Sequence, residues 1–252
     1  LSDIGVETVL HMFSLIERSG IWPSRLSHVW YFLIHKLHGG LRPIVLLPTM
    51  VRVWERLRKP ILDEWMCGHS RAYDWAAVGK TSEMAAWHQM VLAEGVDVQH
   101  DDKDTIAVAT VLLDMVKRFE KVKLIHVWRW GRYWGVPVVL LRRILQVFSF
   151  QRTLIVDGSH SRQLSTINAI VLGSAFSCAV LHIVFLWPCD NLLRLFPSIR
   201  LAKYVDDISI TVKGPRDRAA DLAVQATEHL LHDLKTCWAC KFPELKRECR
   251  AS

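Results

Sequence analysis

The stretch at residues 200–212 reads RLAKYVDDISITV and holds two short extended runs on either side of an aspartate pair. In the second run, isoleucine and valine alternate with polar residues, which is the pattern of a strand buried on one face. The runs are joined through Val205-Asp206-Asp207. The stretch therefore predicts a β-hairpin with both aspartates at its tip and with Ile208–Val212 half-buried.

A further acidic residue, Asp114, ends another apolar run. Residues 105–113 are rich in β-branched side chains without alternation, which predicts a strand covered on both faces. An Asp-Asp pair is by itself common, because Asp is a favoured turn residue. Adjacent carboxylates nevertheless repel each other at a tight turn, and a cation removes that penalty. Mg²⁺ suits such a place, since it binds carboxylate oxygens and is completed by waters and substrate phosphates.

The rest of the chain mixes hairpins with helices in no regular alternation, which indicates an α+β fold. Extended runs at 29–36 and 41–47 flank a glycine pair and predict a β-hairpin. Leu154–Asp157 with Gly158 predicts a short strand and a turn. Helices are predicted within residues 1–28 and over 49–65, 83–92, 115–130, 137–150 and 221–235. Pro60 is expected to bend or divide the second of these helices.

The segment Ile167–Trp187 is almost entirely apolar and long enough to span a bilayer. Gly173, Ser174, Ser177 and His182 interrupt it, and no neighbouring segment repeats the pattern. A buried core helix is therefore the favoured interpretation. A membrane-associated protein that uses this segment stays open as an alternative.

Composition and charge exclude some classes of protein. Of the 252 residues, 51% are hydrophobic and 23% charged, which excludes a disordered chain. Lys and Arg number 32 against 25 Asp and Glu, a balance that suits a polyanionic partner. The six cysteines show no paired framework, so we expect an intracellular protein, nuclear or cytoplasmic.

Four segments together resemble reverse transcriptases, in particular those of non-LTR retroelements and group II introns. Tyr204-Val205-Asp206-Asp207 is similar to the Tyr-x-Asp-Asp box of that family. Leu113–Val122 is similar to the first palm motif, in which a strand-ending Asp is followed five residues later by an aromatic residue. Leu41–Leu47 resembles the Arg-Pro-Ile segment of the fingers, and Gly173–Ser177 matches a Gly-x-x-x-Ser motif. The four segments occur in the family's order within residues 30–235.

The resemblance implies a metal site for nucleotidyl transfer. Asp114 and Asp206 would hold two Mg²⁺ ions, which Mn²⁺ can replace, and Asp207 would be a weaker or supporting ligand. The implied activity is that of an RNA-directed DNA polymerase, which extends a primer with deoxynucleotides.

The resemblance also implies substrate-binding roles for five residues. Arg42, and less directly Lys36, would grip the incoming triphosphate. Phe119 would lie under the sugar and exclude a 2′-hydroxyl. Gly173 would allow the backbone to approach the nascent base pair, and Tyr204 would pack near the primer end. The implied partners are an RNA template, a DNA or RNA primer and deoxynucleoside triphosphates, with no obligatory membrane.

The implied architecture is a right-handed polymerase with an antiparallel palm sheet packed on helices. Residues 1–100 would form an N-terminal segment and fingers, 101–236 the interleaved palm, and 237–252 a C-terminal remnant. The thumb would be absent or truncated, because nothing after about residue 236 resembles one, and accessory domains would belong to a longer chain.

Some positions depart from the family pattern. Leu172 stands where Gln is usual, Ala175 and Cys178 occupy the region where Pro is frequent, and Glu120 replaces a common Asp. A catalytically inactive, nucleic-acid-binding remnant of the same fold is therefore the alternative function. A zinc site is a less favoured alternative to ordinary buried thiols near the C-terminal end, from His232, Cys237, Cys240 and Cys249.

Overall fold

A computed structural model of the chain describes residues 3–37, 39–77, 79–94, 106–115 and 118–238. Two compact units are present, and each combines two separate segments of the chain. Unit 1 comprises Leu1–Trp65 and Phe119–Ile183, and unit 2 comprises Met66–Arg118 and Val184–Ser252. The predicted boundary at residue 100 lies outside the described residues, as does almost all of the predicted C-terminal remnant.

Helices and two separate sheets make up the fold, which confirms the α+β class. In chain order the elements are α1 (Asp3–Ser19), a 3-10 turn (Ser24–Leu26), β1 (His28–His35), β2 (Leu41–Leu46), α2 (Thr49–Gly68), α3 (Ser82–Glu94), β3 (Ile106–Leu113), α4 (Arg118–Lys121), α5 (Leu124–Tyr133), α6 (Val138–Phe148), β4 (Gln151–Val156), β5 (Ser159–His160), α7 (Ser177–Leu195), β6 (Arg200–Tyr204), β7 (Asp207–Pro215) and α8 (Arg216–Trp238).

Unit 1 contains a four-stranded sheet in the order β2-β1-β4-β5. β1 pairs antiparallel with β2 and parallel with β4, and β4 turns back into β5. The hairpin expected around the glycine pair is thus confirmed, and so are the short strand and the turn predicted at residues 154–158. The helix predicted from residue 49 is also confirmed, and α2 continues through Pro60 without division.

An aromatic cluster forms part of the core of unit 1. The Trp54 ring meets Trp22 edge-on at 5.3 Å and Phe176 at 5.7 Å, both between ring centroids. The indole Nε1 of Trp54 donates to Glu17 at 2.9 Å, and Arg58 donates to the same carboxylate. The polar edge of a buried tryptophan is therefore satisfied by an ion pair.

Unit 2 contains a three-stranded antiparallel sheet in the order β3-β7-β6, against which α8 packs. The burial expected for two of its strands was wrong. β3 is an edge strand, and its Leu112 is 72% exposed rather than covered. β7 is the central strand, and its Ser209 and Thr211 are buried rather than solvent-facing. Their hydroxyls are satisfied by Gln89 at 2.6 Å and Thr110 at 3.2 Å.

The helix predicted over residues 115–130 was wrong in its extent. The structure has two helices instead, α4 and α5, with Val122 and Lys123 between them. The Val122 carbonyl accepts a hydrogen bond from the Ala169 amide at 2.9 Å, and Lys123 forms a β-bridge with Asn168. These tertiary backbone bonds replace the bonds that would have continued a helix.

The apolar segment Ile167–Trp187 is helical only from Ser177 onward, so the prediction of one continuous helix was wrong. Its first part is irregular, yet Ile170, Val171 and Phe176 are buried. α7 is long and apolar enough to cross a membrane by length and composition, but 61% of the relevant window is buried inside the protein. That burial agrees with a core helix, the interpretation favoured from the sequence.

Candidate active site

The aspartate pair lies on the hairpin formed by β6 and β7. The last strand pair is Tyr204 with Asp207, so the turn consists of Val205 and Asp206 alone. Val205 has a φ of +53°. A β-branched residue rarely adopts that conformation, and such strain persists only where the surrounding structure imposes it. The hairpin tip is therefore a tight and conformationally defined position.

β3 brings Asp114 to the same end of the sheet. Leu113 pairs with Ile208, so one further step along the register sets Asp114 beside Asp207. Neighbouring strands lie about 4.8 Å apart. Asp114 and Asp207 are exposed and Asp206 is partly exposed. The register thus gathers the three predicted carboxylates, together with Tyr204, at one end of the sheet.

The two faces of the sheet differ at this end. Leu113, Ile208 and Lys203 form a paired row, so they share one face, and all three are buried. Side chains alternate between faces along a strand. Asp207 and Tyr204 therefore point to the opposite face, where both have contact with solvent. Asp207 therefore lies on the solvent-accessible face of the sheet, and the opposite face is buried.

A buried ion pair lies directly behind the hairpin tip. Lys203 donates to Asp74 at 3.0 Å, and the two side chains are only 2% and 1% exposed. The Lys203 Nζ also lies 5.8 Å from the centroid of the Phe185 ring. Sequence reasoning missed this pair. The available signal was a lysine directly after the apolar residues Leu201 and Ala202, but its partner could not be identified locally.

Backbone hydrogen bonds also hold Lys203, on the edge of β6 that faces away from β7. The Lys203 amide donates to the Tyr73 carbonyl at 2.7 Å, and the Trp75 amide donates to the Lys203 carbonyl at 2.8 Å. Residues 73–75 therefore add a short parallel pairing beside β6, while β7 pairs on its other edge. The residue preceding Tyr204 is fixed from both sides.

Asp190 organises the polar groups around this support. It accepts from Arg71 Nε at 3.0 Å and from the Tyr73 hydroxyl at 2.8 Å. The adjacent Cys189 is fully buried, and burial raises the pKa of its thiol to about 12. A neutral buried thiol is a poor nucleophile and a poor metal ligand. Cys189 is accordingly part of the core rather than of a reactive site.

The four other predicted site residues lie in unit 1. Arg42 is exposed on β2, where it pairs with Ile34. Lys36 is exposed just after β1, and its amide donates to the Gly40 carbonyl at 3.0 Å. Phe119 lies half-buried in α4, and its carbonyl accepts from the Ile170 amide at 2.7 Å.

Gly173 lies in a turn before α7, not in a helix as expected, and its φ is +86°. A Cβ at this position would lie 3.4 Å from the Val45 carbonyl oxygen, so the turn closely approaches β2. The following turn is held by buried Glu55, which accepts from Ser174 Oγ at 2.6 Å and from the Ala175 amide at 3.0 Å. Burial raises the pKa of Glu55, although both hydrogen bonds oppose that shift. Sequence reasoning did not identify Glu55.

The sequence was compared with models of known protein families and with curated proteins. Neither comparison finds a match.

The donor set at the hairpin tip fits Mg²⁺ only in part. Within the described ranges, no group of three or more His, Cys, Asp or Glu side chains is placed to hold a metal ion. Mg²⁺ commonly uses one or two carboxylates and takes its remaining ligands from water and substrate phosphates. Exposed carboxylates on adjacent strands fit that requirement. The predicted zinc ligands Cys240 and Cys249, and the side chain of Cys237, lie outside the described residues.

Proposed function

We propose that the chain contains the fingers and palm of an RNA-directed DNA polymerase of retroelement origin. The observation that carries the proposal is the strand register that brings Asp114 beside Asp207, next to a two-residue turn that contains Asp206. These residues come from segments widely separated in sequence and form the motifs that resemble the polymerase family. The three carboxylates lie in unit 2, and Arg42, Lys36, Phe119 and Gly173 lie in unit 1.

In this proposal, Asp114 and Asp206 hold the metal ions, and Asp207 supports them. When bound, two Mg²⁺ ions would activate the primer 3′-hydroxyl and neutralise charge on the leaving pyrophosphate. The protein contributes position: β3 and the strained turn fix the carboxylates, and the Lys203–Asp74 pair fixes the strand behind them. Tyr204 packs near the primer end on the solvent-facing side.

Four further residues, all in unit 1, act on the nucleotide. Arg42 and Lys36 are exposed cations on one hairpin and would bind the triphosphate through charge-assisted hydrogen bonds. Phe119 would contact the sugar and favour deoxynucleotides. Gly173 has a turn conformation that favours glycine, which allows a close approach of backbone to the base pair.

Primer extension on an RNA template with Mg²⁺ and deoxynucleotides tests the proposal. We expect incorporation by the wild type and its loss, by at least about 100-fold, in Asp206→Asn, because a metal-binding carboxylate is removed. Asp157→Asn is the matched control. Asp157 also occupies a hairpin turn at positive φ, in unit 1, and is 73% exposed, so this variant should retain activity.

Two results would contradict the polymerase. Full activity of Asp206→Asn would show that Asp206 has no role in catalysis. Absence of incorporation by the wild type, together with retained binding of a primer–template duplex, would favour the inactive remnant. The departures at Leu172, Ala175 and Cys178 are the observation behind that second candidate. Partition into liposomes would instead support membrane association.

A further inference from the structure

The excess positive charge of the chain is concentrated in one segment of unit 1. Residues 121–156 contain seven Lys and Arg residues and no Asp or Glu, whereas the whole chain has an excess of seven. The rest of the sequence is therefore electrically balanced. The segment comprises α5, α6 and β4. Such clustering on one part of a fold is the electrostatic signature of a polyanion-binding surface.

Close packing of α5 on α6 fixes this surface. A Cβ on Gly131 would lie 2.7 Å from a methyl carbon of Leu141, so any larger residue there would displace the Leu141 side chain. The packing brings arginines from both helices to one indole. The guanidinium carbons of Arg132 and Arg142 lie 5.6 and 5.9 Å from the Trp128 ring. Trp128 thereby contacts two cations that come from adjacent helices.

Three arginines of this surface are exposed, whereas Arg143 and Arg152 of the same segment are buried. Arg129, Arg132 and Arg142 are all exposed, and none of them forms an ion pair with any described residue. Two neighbouring groups respond to the positive charge. Burial first, and then the charges of Lys123 and Arg129, lowers the pKa of His126. Burial, and then Arg142, lowers the pKa of Arg143.

A groove of about 350 Å³ lies beside the indole and is lined by Trp128, Arg142, Leu145, Gln146 and Ser149. Most of its polar lining is already engaged within the protein. Gln146 accepts from Arg143 at 2.6 Å and donates to the Gly20 carbonyl at 2.8 Å, and Ser149 donates to the Gln146 carbonyl. The groove therefore offers the aromatic side chain of Trp128 and the exposed guanidinium of Arg142.

We propose that the α5–α6 surface binds single-stranded nucleic acid, with phosphates on Arg132 and Arg142 and an unpaired base in the groove beside Trp128. Arginines suit phosphate because their planar donors match its oxygens. An aromatic wall suits unpaired bases, whose faces are available for stacking. This binding goes beyond the proposed catalysis and requires neither the carboxylates nor a metal ion.

Fluorescence anisotropy of a labelled single-stranded oligonucleotide tests the surface, with the full chain in EDTA. Arg132→Gln with Arg142→Gln should weaken binding roughly tenfold and reduce the slope of log K against log salt by about 1.4, since each phosphate contact contributes about 0.7. The matched control is Arg216→Gln with Arg218→Gln. It removes the same charge from exposed arginines that flank Asp217, and it should change binding little.

Two further variants test the contributions of charge and of base stacking to binding. Ser149→Glu adds a negative charge to the groove at an exposed residue and should also weaken binding. Trp128→Leu should weaken single-strand binding about tenfold but leave binding of the corresponding duplex nearly unchanged. Thermal unfolding of each variant verifies that it folds.

Wild-type failure to bind the oligonucleotide, or equal losses in the test and control double variants, overturns the proposal. So does a loss confined to binding of phosphatidylserine vesicles, which would assign the surface to anionic lipid. Asp206→Asn should bind the oligonucleotide as the wild type does. Failure of the polymerase proposal, measured by incorporation, is therefore distinguishable from failure of this one.

Discussion

Two pairs of charged residues involve the β6–β7 hairpin, Lys203 with Asp74 and Asp206 with Asp207, and they differ in burial and in the sign of their charges. Lys203 is buried and paired with Asp74, with hydrogen bonds from its backbone on both sides. Asp206 and Asp207 have like charge and are accessible to solvent. A buried pair must satisfy itself, whereas exposed like charges can be satisfied by a ligand. Burial therefore separates the charges that support the hairpin from those available for binding.

The largest expected effect tests the supporting pair. Asp74→Asn leaves Lys203 buried without a carboxylate and should lower the free energy of unfolding by about 3–5 kcal/mol. Asp207→Asn, at the exposed tip, should change it by less than about 0.5 kcal/mol. Chemical denaturation monitored by circular dichroism measures both. Similar decreases in the free energy of unfolding in the two variants would contradict the distinction between the buried supporting pair and the exposed aspartates.

A double variant isolates the charge of the supporting pair. Asp74→Asn with Lys203→Met removes both charges and retains an oxygen near the Ala76 amide, which Asp74 accepts from at 3.2 Å. Stability should return close to that of the wild type, because replacing a whole buried ion pair is often neutral. Persistent destabilisation in the double variant would show that the carboxylate stabilises the loop independently of Lys203.

Local patterns predicted the hairpins, but they did not predict which strands would be covered. The glycine pair at Gly39-Gly40 and the turn at Val205-Asp206 determine strand pairing over a few residues. The positions of β3 at the edge and β7 at the centre depend on sheet order, which is a long-range property. The buried pair is likewise formed across 129 positions of sequence, so neither partner alone revealed it.

The candidate site shows the same division between local and long-range information. The Asp-Asp motif and strand-ending Asp114 could be selected from sequence because each has a local context. Glu55 could not, because its role depends on contact with a turn 119 positions away. Gly173 was selected by its motif but was expected within a helix, whereas it lies in a turn, where its positive φ favours glycine.

A smaller effect is expected from relief of strain at the tip. Val205→Gly removes the cost of a β-branched residue at φ +53° and should raise the free energy of unfolding by up to about 1 kcal/mol, after the entropy of the unfolded glycine is subtracted. Val205→Ala is the control, because alanine also disfavours this φ. Thermal unfolding measures the difference. If both variants are equally destabilised, loss of the valine side chain outweighs backbone strain.

The smallest effect concerns Glu55, a buried carboxylate held by neutral donors rather than by a cation at hydrogen-bond distance. Its pKa is raised above the model-peptide value of 4.5, chiefly by burial. The folded state therefore binds the proton more tightly than the unfolded state, so this group's contribution to stability is fully present below the unfolded pKa. It is lost as pH rises through the folded pKa.

In Glu55→Gln that decrease in stability should be absent, which denaturation at a series of pH values from 4 upward can measure. A Glu17→Gln control should retain the decrease, because Glu55 is still present and because the pKa of Glu17 is lowered, which gives the opposite pH dependence. An unchanged pH dependence in Glu55→Gln would mean that Glu55 is ionised in the folded protein without penalty.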